Sequence, residues 1–338
     1  GGPDVFWWPY DGLSALADRG VLLPLDNLIK EDKLDYKGYY PRSLQCFQWD
    51  GVTYGLPGDW GVYLIFYNKD LFDKAKLPYP KEGWSWDEFR RCAIKLTKRN
   101  EQGKISQYGF SLPQITHLLP FVLENGGQVM NAGKTKYLLD SKNAIDALNF
   151  WYGLKIKDQV CSSEIDQQGG NVSFAAGNIG MVVGSSAGIG ALEQASKAGN
   201  LRFGVQSMPV RNGKCFTRYF ADGYVIYSKS ARQKEAWEFI KFITGPKGSA
   251  IRARLGLYTP AWKAAAMSAE YQTSESRKKL TDSERFGVPS PTYSRSAEVL
   301  PVFQRYDELM RLSSVTVEDG MKKLTREAND ALADDKKN

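Results

Sequence analysis

The sequence predicts an α/β fold arranged in two lobes, and two observations support this prediction. A chain of 338 residues is long enough to bury two hydrophobic cores, one in each lobe. Short apolar runs of strand type, such as Val62–Tyr67, alternate with amphipathic stretches of helical type, such as Ser141–Lys157. No run of about 18 apolar residues occurs, so no membrane-spanning helix is predicted.

The first predicted strand covers Asp4–Trp8 and is followed by a helix over Gly12–Arg19. Open α/β sheets collect ligand-binding groups at the carboxyl ends of their strands. Trp8 and Asp11 stand at such an end, so both are candidates for ligand contacts. The alternatives are that Trp8 belongs to the core and that Asp11 caps the helix.

A hairpin leads into the stretch around which the chain is organised, Tyr54–Phe72. An aromatic-rich helical stretch is expected over Asp32–Phe47, and Asp50-Gly51 is a hairpin turn signal. Val62–Tyr67 is rich in β-branched and aromatic residues, which suit a buried strand. Asn68 then breaks the strand and leads into a helix that begins near Leu71.

The entry to this strand, Gly58–Gly61, places the carboxylate of Asp59 beside the indole of Trp60. The flanking glycines let the backbone bend or a ligand approach closely. An aromatic face beside a carboxylate suits a sugar, whose C–H groups stack on the ring while its hydroxyls donate to the acid. The alternative is a surface loop that feeds a core strand.

The elements that follow are predicted from caps and periodicity. Ser85 and Glu88 form a capping-box pattern that opens a helix through Lys98. The remaining helices and strands follow in order: strand from Gly109, helix Leu118–Leu123, helix Ser141–Lys157, strand Met181–Val183, strand Leu201–Met208, strand Gly223–Ser228, helix Ala231–Thr244, helix Val302–Leu312 and helix Val317–Leu332.

Several short motifs occur together in one order along almost the whole chain. They are Gly2–Val5, Leu23–Asp26, Tyr54–Pro57, Tyr67–Phe72, Gly83–Phe89, Gln107–Phe110, Phe174–Met181 and Ala236–Ile240. Their residues and their order resemble those of the extracellular solute-binding proteins that serve ABC importers of sugars, in the maltose- and oligosaccharide-binding branch. Each motif is weak alone, and the ordered set is specific.

The resemblance implies a two-lobed fold of the periplasmic-binding-protein type II class. Lobe 1 is expected over residues 1–59 with a return segment over 223–258, and lobe 2 over 62–219 with C-terminal helices over 262–338. Gly256–Trp262 is expected to be the third crossing between the lobes. Relatives carry first strands before the point where this chain opens, so lobe 1 is expected to be N-terminally incomplete, with an exposed sheet edge and reduced stability.

The resemblance also implies a ligand site between the lobes that draws on side chains from several strand ends. Arg218 is notable because a guanidinium grips a carboxylate in a bidentate fork. Packing or ordinary ion pairing remains the alternative for His117, Arg218, Tyr258 and Trp262. The expected ligand-binding residues are Trp8, Asp11, Asp59, Trp60, Gln114, His117, Ser185, Ser186, Arg218, Phe220, Asp222, Gly223, Tyr258 and Trp262.

One position departs from the family pattern. Maltodextrin binders carry a glutamate just before the crossing strand, whereas this chain aligns Gly61 there. Asp59 is a candidate to supply the polar contact instead. The departure weakens any transfer of maltose specificity.

The function implied is capture of a sugar or oligosaccharide, neutral or acidic such as a uronide, and delivery to an ABC permease. The protein is expected to be a monomer, periplasmic or extracellular, and anchored as a lipoprotein in its full-length form. No bond is made or broken, so no cofactor is expected. The alternative is a glycoside hydrolase or lyase, which needs two carboxylates flanking one bond; Asp11, Asp59 and Asp222 are the candidates.

Charge and cysteine content argue against a nucleic-acid-binding protein and against zinc or redox sites. The net charge is +7, but the basic residues are mixed with acids, and no basic stripe interleaved with aromatics suggests nucleic-acid binding. The four cysteines, Cys46, Cys92, Cys161 and Cys215, form no CxxC motif, which argues against zinc and redox sites. Pairing and free buried thiols both remain open.

Overall fold

The computed structural model describes residues 2–162, 174–256, 258–290 and 296–333. These residues form two compact units. Unit 1 comprises Gly1–Val62, Tyr219–Glu284 and Pro289–Ser296, and unit 2 comprises Tyr63–Arg218, Arg285–Val288 and Ala297–Asn338. None of the helices in the described ranges is long and apolar enough to cross a membrane.

Unit 1 is built on a sheet of order β1-β9-β4-β10, in which every pair is antiparallel. Strand β4 begins in this unit and continues into unit 2, and β9 runs from unit 2 into unit 1. The elements of unit 1 are β1 Val5–Pro9, α1 Leu13–Asp18, α2 Asp26–Glu31, α3 Pro41–Gln45, β2 Gln48–Trp49, β3 Val52–Thr53, β4 Gly55–Asn68, β9 Thr217–Ile226, α9 Gln233–Thr244, α10 Pro246–Leu255, β10 Thr259–Pro260, α11 Lys263–Ala266 and α12 Glu275–Asp282.

Unit 2 is built on a sheet of order β8-β4-β7-β6-β5, in which only the β6–β7 pair is parallel. Its elements, besides the second half of β4, are α4 Lys69–Lys74, α5 Trp86–Leu96, β5 Lys98–Arg99, β6 Ile105–Ser111, α6 Ile115–Glu124, α7 Lys142–Ile156, β7 Ile179–Ser185, α8 Ile189–Lys197, β8 Phe203–Gln206, α13 Ser296–Arg311 and α14 Val317–Ala333. A further short strand, β11, covers Gly287–Pro289.

Local signals placed several element ends as predicted. Ser85 and Glu88 form both bonds of the capping box that opens α5. Asn68 ends β4 as predicted, and its side chain accepts from the Leu71 amide and caps α4, which begins at Lys69, two residues earlier than expected. Asp50 and Gly51, with φ of 48° and 76°, form the β2–β3 hairpin turn. These contacts confirm the predictions. Each joins residues only a few positions apart, so the sequence alone was enough to predict it.

The helix predicted over Asp32–Phe47 is wrong in extent. The chain instead forms a 3-10 turn at Tyr36–Gly38 and the short helix α3. The first residue of α3 is Pro41, which has no amide hydrogen to continue a preceding helix.

The third crossing lies later than predicted. Thr259 and Pro260 pair with Trp60 and Asp59 on the unit 1 half of β4, and Trp262 packs edge-on against Tyr39. Residues 262–284 therefore belong to unit 1, and this segment of the chain first passes to unit 2 between Glu284 and Arg285. The domain prediction is corrected for this segment.

Each unit has its own core. In unit 1, Leu25, Leu56 and Ile226 pack with Trp237 and Ile240 of α9. In unit 2, the core is an aromatic cluster in which Trp151 stacks on Phe121 at 4.0 Å between ring centroids. Gly109 allows β6 to approach α5, because a Cβ at this position would lie 1.8 Å from the Ala93 carbonyl oxygen.

Candidate functional site

In unit 2, several predicted site residues converge on one aromatic ring that the sequence analysis did not select, Tyr63. The His117 imidazole lies on this ring with 4.3 Å between centroids, and the Arg218 guanidinium carbon is 5.8 Å from its centroid. Ser185 is the cross-strand partner of Tyr63. Tyr63 lies in the stretch that organises the chain, and its half-buried position among buried neighbours distinguishes it.

His117 is held neutral in this cluster. Burial, together with the nearby charges of Arg218 and Arg311, lowers its pKa to about 3. A neutral imidazole both donates and accepts hydrogen bonds. The cluster therefore combines an aromatic ring, a cation and hydrogen-bonding groups, which together can bind a hydroxylated or anionic ligand.

The other predicted residues of unit 2, Gln114 and Ser186, lie at the ends of helices and strands, close in sequence to His117 and Ser185. Gln114 is exposed and precedes α6, and its side chain makes no capping bond there. Ser186 is buried at the start of a 3-10 turn after β7. The Thr217 hydroxyl donates to the Tyr63 carbonyl at 2.6 Å and fixes β9 just before Arg218.

In unit 1, strand β9 alternates between a buried face and a half-buried face. Phe220 and Asp222 lie on the half-buried face, whereas Gly223 lies on the buried one. Asp222 is directly opposite Asp59 on β4 and Pro9 on β1. Two carboxylates are thus cross-strand neighbours at the centre of the sheet.

Asp59 is more enclosed than the sequence suggested. Its side chain is buried, and Arg252 of α10 donates to it at 3.4 Å while also donating to the Tyr224 hydroxyl at 2.7 Å. Burial and the nearby Asp222 charge raise the pKa of Asp59 to about 8, and Arg252 only partly offsets them. A ligand hydroxyl would have to compete with Arg252 for this group.

Trp60 is also a core residue. It is fully buried, stacks parallel to Tyr219 at 5.5 Å and contacts Tyr40 at 4.7 Å between centroids. These rings occupy the surface that a sugar would need. The burial favours a packing role for Trp60 over the ligand contact expected from its neighbours in sequence.

Trp8 and Asp11 flank the end of β1 as predicted. Trp8 is half-buried and lies over Gly12, where a Cβ would come within 2.9 Å of the indole nitrogen. Asp11 is exposed in the 3-10 turn Tyr10–Gly12. Gly12, the next residue, occupies the N-cap position of α1 and has no side chain to cap it.

The last two predicted aromatics of unit 1 have different environments. Tyr258 is exposed. Trp262 packs into the unit, where a Cβ on Gly38 would lie 2.2 Å from its ring. The four cysteines are all free, and no trio of metal-ligating side chains occurs within the described ranges.

Comparison with known proteins gives a family match. Residues 1–279 match the family model described as bacterial extracellular solute-binding protein. The galactooligosaccharide-binding protein of Bacillus subtilis is 26% identical over 308 residues, which cover 88% of this chain and 69% of that protein. The maltotriose-binding protein of Pyrococcus abyssi is 24% identical over 72% of this chain, and the match spans about half, 51%, of its length.

A solved structure of an ABC substrate-binding protein from Listeria monocytogenes in complex with cycloalternan has the same fold. The TM-score is 0.90 at 23% identity, covering 98% of this chain and 85% of that one. This likeness confirms the predicted α/β fold class. The Bacillus subtilis and Pyrococcus abyssi relatives are both described as binding proteins, which favours binding over the hydrolase or lyase alternative.

Proposed function

The chain belongs to the family of bacterial extracellular solute-binding proteins, and we propose that it captures a sugar or oligosaccharide for an ABC importer. The observation that carries this proposal is its similarity, over most of its length, to a galactooligosaccharide-binding protein. In this role the protein binds its ligand unchanged and delivers it to a membrane permease. Ligand binding shifts a hinge equilibrium by its differential affinity for two conformations.

The side chains proposed to bind ligand come from both units. In unit 2 they are Tyr63, His117, Ser185 and Arg218, called the Tyr63 cluster below. In this cluster an aromatic ring lies beside hydrogen-bonding and cationic groups. In unit 1 they are Trp8, Asp11, Phe220 and Asp222 at the ends and half-buried face of the sheet. Whether both sets contact the same ligand molecule is a prediction that paired variants test.

Isothermal titration calorimetry with neutral oligosaccharides and their uronic-acid counterparts tests the proposal. We expect saturable binding of one sugar class and recovery of the ligand unchanged. Preference for the uronides would assign an acidic ligand and implicate Arg218, whose guanidinium carbon lies 5.8 Å from the Tyr63 ring centroid. Absence of binding across galactose-, glucose- and mannose-based series, or turnover of the ligand, would contradict the proposal.

Variants locate the site. Arg218→Gln is compared with Arg202→Gln, because Arg202 is an exposed arginine of the same unit that pairs with Asp70. Asp11→Asn is the corresponding change in unit 1. We expect both Arg218→Gln and Asp11→Asn to weaken binding while Arg202→Gln does not; an effect of Arg218→Gln alone would confine the ligand to unit 2.

Finer features of this role are part of the proposal. We infer a monomer that is anchored to the membrane as a lipoprotein in its full-length form. Sedimentation with and without sugar tests the first, and metabolic labelling with a fatty acid in the native host tests the second.

A further inference from the structure

We propose that Asp307 and Arg311, on the C-terminal helix α13, are positioning residues that hold the loop Leu112–Gln114 and the start of α6 in place for ligand binding. This proposal rests on the proposed function, because the loop and α6 carry Gln114 and His117. Both residues of the pair lie beyond the residues 1–279 that the family model matches. The pair is called the α13 clamp below.

The clamp bonds three backbone groups of one short segment. Asp307 Oδ2 accepts from the Ile115 amide at 3.1 Å. Arg311 donates to the Leu112 carbonyl at 3.1 Å and also to the Pro113 carbonyl. The first amides of a helix need acceptors from outside the helix. Gln114, at the N-cap, supplies none from its side chain, so Asp307 acts as a remote cap.

The clamp is itself buried and internally bonded. Asp307 and Arg311 are 6% and 5% exposed. Arg311 Nε donates to Asp307 Oδ1 at 2.8 Å, and the buried Tyr152 hydroxyl donates to the same oxygen at 2.5 Å. Charged groups held by several hydrogen bonds in a low-dielectric interior have little freedom to reorient. The loop therefore has one preferred position.

The clamp reaches the Tyr63 cluster through the first turn of α6. The His117 amide donates to the Gln114 carbonyl at 2.9 Å, so the imidazole is positioned by the segment that the clamp holds. Arg311 also acts on His117 through its charge. The Tyr63 ring packs against the His117 imidazole, and the charges of Arg218 of β9 and Arg311 of α13 both lower its pKa.

His117 is the single histidine of the chain, so its NMR titration is an unambiguous readout. We expect Arg311→Gln to raise the His117 pKa and to weaken sugar binding about tenfold. Arg311→Lys keeps the charge but loses the planar fork, so it should titrate like the parent while binding as weakly as Arg311→Gln. An affinity that follows the charge instead, with Arg311→Lys binding sugar as tightly as the parent, would contradict the positioning role.

Arg305→Gln is the matched control. Arg305 lies on the same helix but is exposed and pairs with Glu327, so its removal should change neither the His117 titration nor the affinity. In Asp307→Ala we expect the Ile115 amide to exchange at least about tenfold faster than in the parent, because its acceptor is gone. If Arg311→Gln leaves the affinity unchanged, or Asp307→Ala leaves Ile115 exchange unchanged, the clamp is overturned.

Two arrangements keep the test decisive. If Arg311→Gln and Asp307→Ala both fail to fold, hydrogen exchange of the parent decides, because a clamped Ile115 amide is protected like the amides inside α6 and rapid exchange overturns the proposal. If the parent binds no sugar, the proposed function fails, while the His117 and Ile115 readouts still decide whether the clamp exists.

Discussion

Among the described residues, each unit holds a buried aspartate paired with an arginine, Asp59 with Arg252 in unit 1 and Asp307 with Arg311 in unit 2, and the two pairs differ in how completely they are bonded. In unit 2, Asp307 and Arg311 are bonded to each other, to Tyr152 and to three backbone groups. In unit 1, Asp59 is 3.4 Å from Arg252, faces a second carboxylate, and Arg252 Nε is buried with no hydrogen-bond partner among the described residues.

The comparison teaches that burial alone does not make an ion pair stabilising. Desolvation of two charges is offset only when geometry is good and the remaining donors and acceptors are satisfied. The unit 2 pair meets this condition. The unit 1 pair does not, and the outcome is visible in the raised pKa of Asp59. The following predictions test the difference, from the largest expected effect to the smallest.

Breaking the unit 2 pair should have the largest effect. Asp307→Ala leaves Arg311 buried without its carboxylate, which should lower the free energy of unfolding by about 3–5 kcal/mol. Urea denaturation followed by tryptophan fluorescence measures it. A loss below about 1 kcal/mol would mean that the unit 2 pair is no better satisfied than the unit 1 pair.

Removing the unit 1 carboxylate, Asp59, should raise the free energy of unfolding at alkaline pH, whereas removing Asp307 should lower it. The folded-state pKa of Asp59, about 8, lies above its ordinary value of 3.8. The folded protein therefore binds this proton more tightly than the unfolded chain, and stability falls as pH rises from about 4 to about 8. Relative to the parent, Asp59→Asn should gain on the order of 4 kcal/mol between pH 4.5 and pH 8, because each pH unit between the two pKa values contributes about 1.4 kcal/mol.

Denaturation of both proteins at pH 4.5 and pH 8 measures that gain. The buried Glu124 also has a pKa raised to about 8, but it is present in both proteins and cancels from the difference. If the free energy of unfolding of Asp59→Asn and of the parent depended on pH in the same way, the pKa of Asp59 would not be raised in the folded state.

Removing the unit 1 cation should cost less than breaking the unit 2 pair. Arg252→Met takes a donor from Asp59 and from Tyr224, but Asp59 can bind a proton in response. We expect a loss of about 1–2 kcal/mol at pH 8 that shrinks toward pH 5. A loss that does not change with pH would assign it to packing of the Arg252 side chain instead.

An exposed pair sets the baseline. Lys142 and Asp146 are paired four residues apart on α7, with side chains 85% and 44% exposed. Lys142→Ala should change the free energy of unfolding by less than about 0.5 kcal/mol, and 0.5 M salt should abolish the difference. A larger effect would mean that the contribution of an ion pair to the free energy of unfolding of this protein does not depend on how buried and how fully hydrogen-bonded the pair is.

Features of short range were predictable from the sequence. The capping box at Ser85 and Glu88, the turn at Asp50 and Gly51 and the cap at Asn68 each join residues no more than three positions apart. Helix and strand periodicity likewise located β1, α7 and α14 to within a few residues. The order of the motifs, taken together, was sufficient to identify the family.

Only the tertiary structure decided which candidate residues are buried and which are accessible. Trp60 and Tyr63 are three residues apart on one strand, yet Tyr40 and Tyr219 enclose the first while the second is half-buried. The position of the third crossing depended on the pairing of Thr259 with Trp60. The α13 clamp joins Asp307 to Ile115 across 192 positions of the chain. Contacts at such separation leave no periodic or local signal in the sequence, because they exist only once both elements have packed.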